Sequence, residues 1–518
     1  MTQLMKTKVI ITEKKLGDFY WAYADILRGI GINESMYDQR IMAFMALKLL
    51  VDNDFVLFDF NYQNNFNLKD KFSKYKDTNT KETFLNILKD IKNLGTSKLK
   101  YFTQDKNLNP SSENENILHY IDHQKTFELS RYIEELPNHY FEMVLDIYTS
   151  KADFVNYPKE NYKDLYETTI SRMKKLTGDL TGQHFTQKSI IHLMCESVMG
   201  DLKNSSSDIL AIYDPTCGTG SMLMEASFYL KNKVKKDIEV YGQEMHGQTW
   251  LLCKIFLEIS QIPNKIAHGN TLINPAFHKI NGNNSFDFII ANPPFGVDWK
   301  HDYDEIISNM KLEDKSNFLT VRDGKKLITP KKSDGQFLFI LHILKLLEVS
   351  KKSGKDAKAS IISSSTLSST GNERSSESKI RKKLFNTNYL TTLIEQPNAM
   401  FTNTDISSHI WFFDNSCTDK NTQIIKTTND AQNLFSLHPQ SKDKMKHSYS
   451  VKDIKKIISL FNKSKKYTTK KIDTSSIYEI NIQNLIEKKE IIDTRTLREL
   501  ADEINNTLDE LCKIKRFF

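Results

Sequence analysis

The sequence predicts an α/β fold in which a doubly wound, mostly parallel sheet follows a helical N-terminal domain and precedes a C-terminal helical tail. Through the first 175 residues, apolar side chains recur at three- and four-residue steps, which is typical of helices. From about residue 205, short apolar runs alternate with helical stretches, which is typical of βαβ units and a parallel sheet buried on both faces. The last residues of the chain return to helical spacing.

The composition is that of a globular protein with more than one domain. The chain has 518 residues, a length that predicts two or three domains. Its 72 Lys and Arg residues against 65 Asp and Glu residues give a net charge of +7, which permits nucleic-acid binding without establishing it. If DNA is the substrate, we expect a partner to supply much of the phosphate contact.

The cysteines and the N-terminus bear on where the protein works. Five cysteines are scattered without the paired spacing of a zinc site or a disulfide framework, which suits a reducing cytosol and predicts no metal site. No apolar segment follows the first charged residues, and no run of about 18 apolar residues occurs. We therefore expect a cytoplasmic protein that does not enter a membrane.

Residues 1–175 are predicted to form the helical N-terminal domain. The apolar positions that set the helical period are Trp21, Ile26, Leu27, Tyr37, Ile41, Phe44, Met45 and Leu49. Because strand-like alternation is rare in this stretch, these side chains are interpreted as the core of that domain.

Residues 176–415 are predicted to form the sheet domain, with seven strands. The predicted strands are residues 209–213, 238–241, 265–267, 286–290, 359–362, 390–394 and 410–413. The last two lie close together in the chain, so we expect the sheet to end in an antiparallel hairpin.

Two segments follow the sheet domain. Residues 416–494 are rich in polar side chains and are predicted to form a surface extension. Residues 495–518 carry an apolar stripe at helical spacing, formed by Leu497, Leu500, Ile504, Leu508, Leu511 and Ile514. Such a stripe must be covered, either by its own domain or by a partner protein.

A glycine-bearing turn, Asp214-Pro215-Thr216-Cys217-Gly218-Thr219-Gly220, joins the first predicted strand to a helix. In a doubly wound sheet this position lies at the carboxyl ends of the strands, where ligands bind, although an ordinary strand-to-helix turn also fits. The third glycine of a dinucleotide motif and the Gly-Lys-Ser/Thr of a P-loop are both missing, so the ligand is not predicted to be a phosphate. Glu244 follows the next strand and is interpreted either as a ligand of ribose hydroxyls or as a solvated surface residue.

The strongest motif is Asn292-Pro293-Pro294-Phe295, at the carboxyl end of the fourth predicted strand. Two prolines remove backbone donors and stiffen the segment, which leaves a rigid set of hydrogen-bond acceptors. An exocyclic amine such as adenine N6 is a poor nucleophile, because its lone pair is delocalised into the ring. Hydrogen bonds from the amine to the Asn292 side-chain oxygen and the Pro293 carbonyl favour the tetrahedral nitrogen that attacks a methyl sulfonium, and Phe295 is positioned to stack on the base.

With these residues the chain resembles the N6-adenine DNA methyltransferases, and specifically the modification subunits of type I restriction-modification systems, the HsdM family. The matching segments are residues 21–29, 181–186, 214–220, 242–244, 292–295, 335–337 and 380–381, in this order along most of the chain. The resemblance implies a class I S-adenosylmethionine-dependent methyltransferase fold with a seven-stranded sheet. It also implies S-adenosyl-L-methionine as cofactor and site-specific methylation of a flipped adenine.

The resemblance also assigns residues to the two ligands. It places the cofactor at Gln183, His184, Phe185, Thr186, Asp214, Pro215, Thr216, Gly218, Thr219, Gly220, Ser221, Glu244 and Asn270, with residues 183–186 closing over its methionine end. It gives the catalytic role to Asn292, Pro293, Pro294 and Phe295, which hold the adenine. Gln187 stands where the family usually has proline, Asn270 where an acidic residue is common, and residues 363–367 lack the usual glycine.

The resemblance further implies a multisubunit complex on double-stranded DNA. No large base-reading module follows the sheet domain, which agrees with a separate specificity subunit, and residues 495–518 are expected to dock on it. A second modification subunit is also implied, and a restriction subunit is a further partner that the resemblance allows. Two alternatives remain open from the residues: an N-methyltransferase acting on RNA or protein glutamine, and a catalytically silent subunit that clamps DNA.

Overall fold

The structure is a computed structural model, and it describes most of the chain with gaps. The described residues are 13–33, 36–52, 56–59, 64–67, 81–93, 100–101, 128–150, 186–205, 207–277, 286–312, 316–372, 374–397, 400–401, 407–418, 421–427, 448–463 and 472–473. The predicted docking helix at residues 495–518 therefore lies outside the described residues, as do the predicted site residues Gln183, His184 and Phe185.

The helices are distributed along the described part of the chain. They are α1 (Glu13–Gly29), α2 (Tyr37–Asp52), α3 (Lys81–Asn93), α4 (Leu129–Glu135), α5 (Asn138–Ser150), α6 (Lys188–Asn204), α7 (Ser221–Val234), α8 (Gly247–Ile259), α9 (Tyr303–Met310), α10 (Gln336–Lys352), α11 (Thr366–Ser369), α12 (Ser376–Asn386) and α13 (Val451–Lys463). No helix in these described segments combines the length and the apolar character needed to cross a membrane.

The strands form one large sheet and two small ones. The strands are β1 (Val56–Asp59), β2 (Asn64–Asn67), β3 (Lys100–Tyr101), β4 (Ile209–Asp214), β5 (Asp237–Glu244), β6 (Asn264–His268), β7 (Phe288–Ala291), β8 (Arg322–Asp323), β9 (Lys326–Leu327), β10 (Lys358–Ser364), β11 (Leu390–Glu395), β12 (Ser408–Asp414), β13 (Asn421–Lys426) and β14 (Ile472–Asp473). The large sheet has the order β14-β13-β11-β12-β10-β7-β4-β5-β6, the N-terminal sheet β2-β1-β3, and the third is the hairpin β8-β9.

The chain divides into two compact units that do not follow the predicted domain boundaries. The first contains residues 1–183 together with 217–228 and 242–269, and the second contains residues 184–216, 229–241 and 270–518. In the first unit, α2 packs against α1, α4 and α8, and its side chains from Ile41 to Leu47 are all buried. Tyr23 meets Phe44 edge to face at 5.3 Å, as aromatic rings in a packed core do. The prediction that Trp21 belongs to the core is wrong, because its side chain is 38% exposed and lies outside the packed interior. The predicted core is confirmed at the other positions, Ile26, Leu27, Tyr37, Ile41, Phe44, Met45 and Leu49.

Parallel pairing dominates the centre of the second unit. β7 pairs in parallel with both β4 and β10, and β11 pairs in parallel with β13. β12 runs antiparallel between β10 and β11. Because helices cover both faces of a parallel sheet, its strands read as continuous apolar runs, and β7 and β10 are buried at every position.

The predicted fold is confirmed, and all seven predicted strands are present. They correspond to β4, β5, β6, β7, β10, β11 and β12, and the antiparallel pairing of β11 with β12 matches the expected hairpin. The sheet nevertheless has nine strands, because β13 and β14 from the predicted polar extension join its edge. In β13, two adjacent isoleucines stand among polar residues, so the sequence Asn-Thr-Gln-Ile-Ile-Lys shows neither a continuous apolar run nor the alternation typical of a strand.

Two other elements differ from the sequence expectation. The N-terminal region, predicted as helical throughout, also contains the short strands β1, β2 and β3. The extension contains α13, which packs on α6 and buries Ile454, Ile457 and Phe461. Single apolar residues separated by lysines are enough for a helix that covers one stripe of a neighbour, although they lower the average hydropathy of the segment.

His409 in β12 is a buried histidine that the fold keeps neutral. Its side chain is 6% exposed, and burial lowers its pKa from 6.5 to about 4. Because the pKa of His409 is lower in the folded state than in the unfolded state, protonation favours the unfolded chain as the pH falls. The free energy of unfolding therefore keeps its full value above pH 6.5 and decreases as the pH falls towards 4.

We therefore expect a His409→Gln variant to resist mild acid better than the wild type. Between pH 6.5 and 4 the wild type loses up to about 3 kcal/mol through this histidine, whereas the variant does not. Urea unfolding midpoints measured across this pH range check the difference. The exposed residue His301 provides the control, since His301→Gln is expected to leave the pH dependence unchanged; equal acid sensitivity of wild type and His409→Gln would contradict this account.

Candidate active site at the carboxyl ends of β4 and β7

The two motif-bearing strands lie side by side and end at the same edge of the sheet. β4 and β7 pair in parallel with Ile212 opposite Phe288 and Tyr213 opposite Ile289. Asp214 is the last residue of β4, and Asn292 follows the last residue of β7. Since Tyr213 lies opposite Ile289 and neighbouring strands are about 4.8 Å apart, Asp214 is level with Ile290, two residues before Asn292.

Asp214 shapes the turn that follows β4. Its side chain is 1% exposed, and its Oδ1 accepts hydrogen bonds from the Thr216 backbone N–H at 2.8 Å and from the Thr216 hydroxyl at 3.3 Å. The Pro215 carbonyl accepts a further hydrogen bond from the Thr271 hydroxyl at 2.6 Å. An aspartate that bonds the backbone two residues on favours a tight turn, so at least one of its oxygens serves the loop itself.

Gly218 and Glu244 form the second part of the turn. The Gly218 backbone N–H donates to Glu244 Oε2 at 3.1 Å, while Oε1 accepts from the His246 backbone N–H at 2.7 Å. Gly218 has φ of 56°, in the left-handed region that favours glycine, and a Cβ built on it would meet nothing within 4 Å. The open space beside Gly218 and the buried carboxylate beneath it suit a ligand that offers hydroxyl donors.

The electrostatics of Glu244 depend on its burial and on two backbone donors. Burial raises the pKa of this carboxyl, and the hydrogen bonds from His246 and Gly218 act in the opposite direction. Its side chain is buried, so the alternative that Glu244 is a solvated surface residue is wrong. A desolvated carboxylate gains more from a hydroxyl ligand than an exposed one does, because water no longer competes for its lone pairs.

Two buried thiols fill the space that two glycines leave open. A Cβ on Gly220 would lie 2.7 Å from Cys253 Sγ, and one on Gly242 would lie 2.8 Å from Cys217 Sγ. The two sulfur atoms are 4.0 Å apart. The glycines of this region are therefore required by packing under the turn, in addition to the left-handed φ of 78° at Gly220.

Asn292 is held in a defined orientation by Thr186. Its Nδ2 donates to the Thr186 hydroxyl oxygen at 2.9 Å, and Thr186 is 2% exposed. Because the nitrogen end of the amide is fixed towards Thr186, the oxygen end is directed to the other side of the Asn292 side chain. Thr186 was predicted to contact the cofactor; the structure shows it in contact with Asn292, which was predicted to be catalytic.

The rest of the Asn-Pro-Pro-Phe segment is partly open. Pro294 is exposed, Pro293 is buried, and Phe295 is half-buried. The Phe295 ring meets the buried Phe401 ring edge to face, with the ring centroids 6.0 Å apart. Phe401 was not found from the sequence, because an isolated aromatic residue among mostly polar neighbours has no periodic signal.

Gln187 and Met400 form a second link to the segment that carries Phe401. The Gln187 side-chain amide donates to the Met400 carbonyl at 2.6 Å, and Gln187 is buried. A proline at this position, as in the family pattern, could not make this hydrogen bond. The departure at residue 187 therefore has a structural use in this chain.

Asn270 lies beside a carboxylate from elsewhere in the chain. Its Nδ2 donates to Asp302 Oδ2 at 3.0 Å, and its Oδ1 accepts from the Leu272 backbone N–H at 2.9 Å. Asp302 follows the Asn-Pro-Pro-Phe segment in the sequence and was not predicted as a site residue. The family commonly carries an acidic residue at position 270. In this chain the carboxylate of Asp302 lies one hydrogen bond away from Asn270.

The remaining motif residues support the loops at this edge. The Gln336 side chain bonds both the backbone N–H and the hydroxyl of Ser364, at the end of β10. Arg381 is fully buried and donates to the carbonyls of Leu367 and Thr370. Burial lowers the pKa of Arg381 to about 10, although Glu377 acts to raise it. These residues hold backbone rather than ligand.

The predicted cofactor residues that the structure describes are partly buried or buried around the turn. Ser221 begins α7, Thr219 is buried, and Pro215 and Gly220 are buried with it. Direct ligand contacts of all the predicted site residues stay predictions, as do those of Gln183, His184 and Phe185 outside the described residues.

A family model described as N-6 DNA Methylase matches residues 157–494. The chain belongs to this family. The match covers the glycine turn, the Asn-Pro-Pro-Phe segment and the strands that carry them, so family membership rests on the site as well as on the sheet.

Curated relatives in the N-6 DNA methylase family are named as methylase subunits. The chain is 26% identical over 394 residues to the type I restriction enzyme MpnII methylase subunit of Mycoplasma pneumoniae, covering 72% of this chain and 66% of that protein. It is 27% identical over 250 residues to the HindI methylase subunit of Haemophilus influenzae, covering 48% of this chain and 49% of that protein. The chain thus spans about two thirds or less of the length of these relatives.

Solved structures share the fold at lower identity. The methyltransferase subunit of a type I restriction-modification system from Streptococcus thermophilus superposes with a TM-score of 0.60 at 19% identity, covering 90% of this chain and 97% of that one. A modification subunit of a type I restriction enzyme from Vibrio vulnificus gives a TM-score of 0.55 at 17% identity, covering 91% and 94%. Both likenesses confirm the fold.

We expect Gly242→Ala to destabilise the protein, because the added methyl group would lie 2.8 Å from Cys217 Sγ and 3.0 Å from Ile266 Cδ1. Overpacking of this kind costs about 1–3 kcal/mol, and thermal unfolding measures it as a lower Tm. Gly200→Ala is the matched control: no atom lies within 4 Å of its added methyl group, and alanine favours the α6 helix. A Gly242→Ala protein as stable as Gly200→Ala would contradict the packing argument.

Proposed function

We propose that this chain is the modification subunit of a type I restriction-modification complex, and that it transfers a methyl group from S-adenosyl-L-methionine to the N6 atom of a flipped adenine in DNA. The observation that carries the proposal is the parallel pairing of β4 with β7, since Asp214, which begins the glycine turn, ends one of these strands and Asn292 follows the other. The orientation of Asn292 by Thr186 supports it. The family model, described as a DNA methylase, favours DNA over RNA or protein as the substrate.

The residues at the turn fit S-adenosyl-L-methionine. A buried carboxylate at Glu244 suits the two ribose hydroxyls, and the open space at Gly218 lets a ligand approach the backbone. The turn lacks the Gly-Lys-Ser/Thr of a phosphate-binding loop, which agrees with a cofactor that has no phosphate. When bound, S-adenosyl-L-methionine supplies an electrophilic methyl group on a sulfonium.

Asn292 and Pro293 would act on the amine of the target base. Because Asn292 Nδ2 is bonded to Thr186, Asn292 Oδ1 is the end of the amide that accepts a hydrogen bond from N6. The Pro293 carbonyl would accept from the other N6 hydrogen. Two acceptors in fixed positions draw the nitrogen towards the tetrahedral geometry in which its lone pair is available, so positioning supplies the catalysis.

No strong general base is required for this reaction. The N6 nitrogen becomes acidic once it carries a new bond to carbon, and its proton can leave to an acceptor such as Asn292 Oδ1 and then to solvent. Phe295, held at its edge by Phe401, would stack on the adenine ring. Stacking offsets part of the few kcal/mol that extrusion of a base from the duplex costs.

The proposed partners follow from the relatives and from what the chain contains. Both curated relatives are named as methylase subunits of type I restriction enzymes, and a solved structure with a TM-score of 0.50 concerns complex assembly of the type I system. We propose that a specificity subunit reads the DNA sequence, that a second modification subunit completes the complex, and that residues 495–518 dock on the specificity subunit. A restriction subunit is a further candidate partner.

The central prediction concerns methyl transfer. In parallel assays with tritiated S-adenosyl-L-methionine, we expect label in adenine of DNA from the complex with its specificity subunit, and none in RNA or protein. Asn292→Ala is expected to lower kcat about 100-fold or more, because one fixed hydrogen-bond partner of the reacting group is removed.

Asn386→Ala is the matched control, since Asn386 is exposed at the end of α12. It is expected to retain wild-type activity. An Asn292→Ala complex that assembles and methylates as well as the wild type would leave only the silent DNA-clamping alternative, and label in RNA or protein alone would change the substrate class.

Replacement of Thr186 tests its positioning role. Thr186→Val keeps the shape but removes the oxygen that accepts from Asn292, so the amide loses the hydrogen bond that orients its nitrogen end and kcat is expected to fall about tenfold. Thr186→Ser keeps the acceptor and is expected to restore most of the rate. Calorimetry should show an unchanged Kd for S-adenosyl-L-methionine in both variants; a raised Kd with unchanged kcat would indicate a cofactor contact instead.

A further inference from the structure

A cluster of positive charge directly follows the catalytic segment in the fold. Residues 322–332, the basic hairpin segment, contain five cationic side chains and one carboxylate. Arg322, Lys325, Lys326, Lys331 and Lys332 are all exposed. The single carboxylate, Asp323, pairs with Lys379 of α12, so the outward charge of this segment is strongly positive.

The basic hairpin segment and the residues just after it are joined by hydrogen bonds to Val297 and Trp299, which follow the Asn-Pro-Pro-Phe segment. The Trp299 backbone N–H donates to the Lys332 carbonyl at 2.9 Å, and its indole N–H donates to the Lys331 carbonyl at 2.8 Å. The Trp299 side chain is 1% exposed. The Gly335 backbone N–H donates to the Val297 carbonyl at 2.7 Å, which closes the connection. The lysines therefore stand on backbone that is fixed relative to Asn292.

The hairpin is also fixed from its other side. The Ile328 backbone N–H donates to the Val321 carbonyl at 2.9 Å across the base of the hairpin. The Lys331 backbone N–H donates to Glu377 Oε1 at 3.1 Å, and Glu377 is buried in α12. Exposed cationic side chains on an anchored backbone suit the binding of a polyanion, because little backbone entropy is lost on binding.

Chain geometry limits how far these charges are from the reacting base. Trp299 is seven residues from Asn292 in the sequence, so the two backbones are at most about 25 Å apart. A duplex rises about 3.4 Å per base pair, so this distance corresponds to no more than about seven base pairs. Phosphates within one turn of the flipped base are therefore within reach of Lys331 and Lys332, whose carbonyls bond Trp299, and the other cationic side chains stand on the same anchored hairpin.

We propose that the basic hairpin segment, residues 322–332, binds the phosphate backbone of duplex DNA next to the flipped adenine. This inference rests on the proposed function for the identity of the polyanion. On this inference the modification subunit contributes phosphate contacts of its own, in addition to those expected from a partner.

The test uses the full chain and a labelled mixed-sequence duplex, since phosphate contacts do not depend on the base sequence. We expect Lys325→Gln, Lys326→Gln and Lys331→Gln, combined in one variant, to weaken binding about tenfold or more at about 50 mM salt. The slope of log K against log salt concentration should fall by about one for each lysine that no longer neutralises a phosphate. Lys332 is left unchanged, because its Nζ lies 3.3 Å from the Tyr303 ring centroid.

A second variant removes positive charge elsewhere on the surface. Lys203 ends α6 before the amino end of β4, and Lys235 lies in the turn before the amino end of β5; both are exposed. Lys203→Gln with Lys235→Gln is expected to leave the duplex affinity and the salt slope near their wild-type values. The melting temperature and the Kd for S-adenosyl-L-methionine of both variants show that each is folded.

The outcomes separate this inference from the proposed reaction. A hairpin variant that binds duplex as tightly as the wild type, with the same salt slope, overturns the inference and leaves the methyl-transfer proposal standing. Weaker duplex binding by the hairpin variant, with unchanged binding by the control variant, supports the inference. A wild-type complex that transfers no methyl group to DNA would overturn the proposed reaction, but it would not overturn this inference. Equally weakened binding in the hairpin and control variants also overturns the inference, because the charge effect would then be general.

Discussion

The parallel pairing of β4 with β7 is the constraint on which the candidate site depends. A parallel pair ends both strands at one edge of the sheet, and the register here puts Tyr213 opposite Ile289. Asp214 and Asn292 therefore begin their loops at the same edge of the sheet, two residues apart in register. A slip of one residue in either strand would invert the faces of its side chains, so the buried apolar faces of both strands also fix where these two loops begin.

Some polar residues at this edge of the sheet form hydrogen bonds to nearby backbone, and others are proposed to bind ligands. Asp214 and Gln336 form bonds to nearby backbone and are buried by it. Thr186 holds the nitrogen end of the Asn292 amide, so the oxygen end is directed away from Thr186. Glu244 is desolvated and accepts hydrogen bonds from the backbone N–H groups of Gly218 and His246, so its carboxylate stays aimed at the turn. The proposed ligand-binding groups thus gain fixed positions from their neighbours.

The sequence pattern was sufficient to predict the seven strands and to place the motifs at their ends, because buried parallel strands are short and continuously apolar. β7 and β10 are examples in which every residue is buried. It was insufficient for β13, in which two adjacent isoleucines stand among polar residues, and for α13, in which lysines interrupt the apolar stripe. Contacts across large sequence separations account for the rest, since Thr186 is 106 residues from Asn292 and Asn270 is 32 residues from Asp302. No local pattern marks such pairs, because each depends on two loops meeting in the folded chain.

Titration calorimetry with S-adenosyl-L-methionine tests the assignment of this sheet edge most directly. We expect one binding event per chain in the wild type, a strongly reduced affinity in Glu244→Ala, and an affinity close to that of the wild type in Asn292→Ala, because only the first change removes a cofactor ligand. A wild-type chain that releases no heat of binding, or a Glu244→Ala protein that binds as tightly as the wild type, would contradict the assignment.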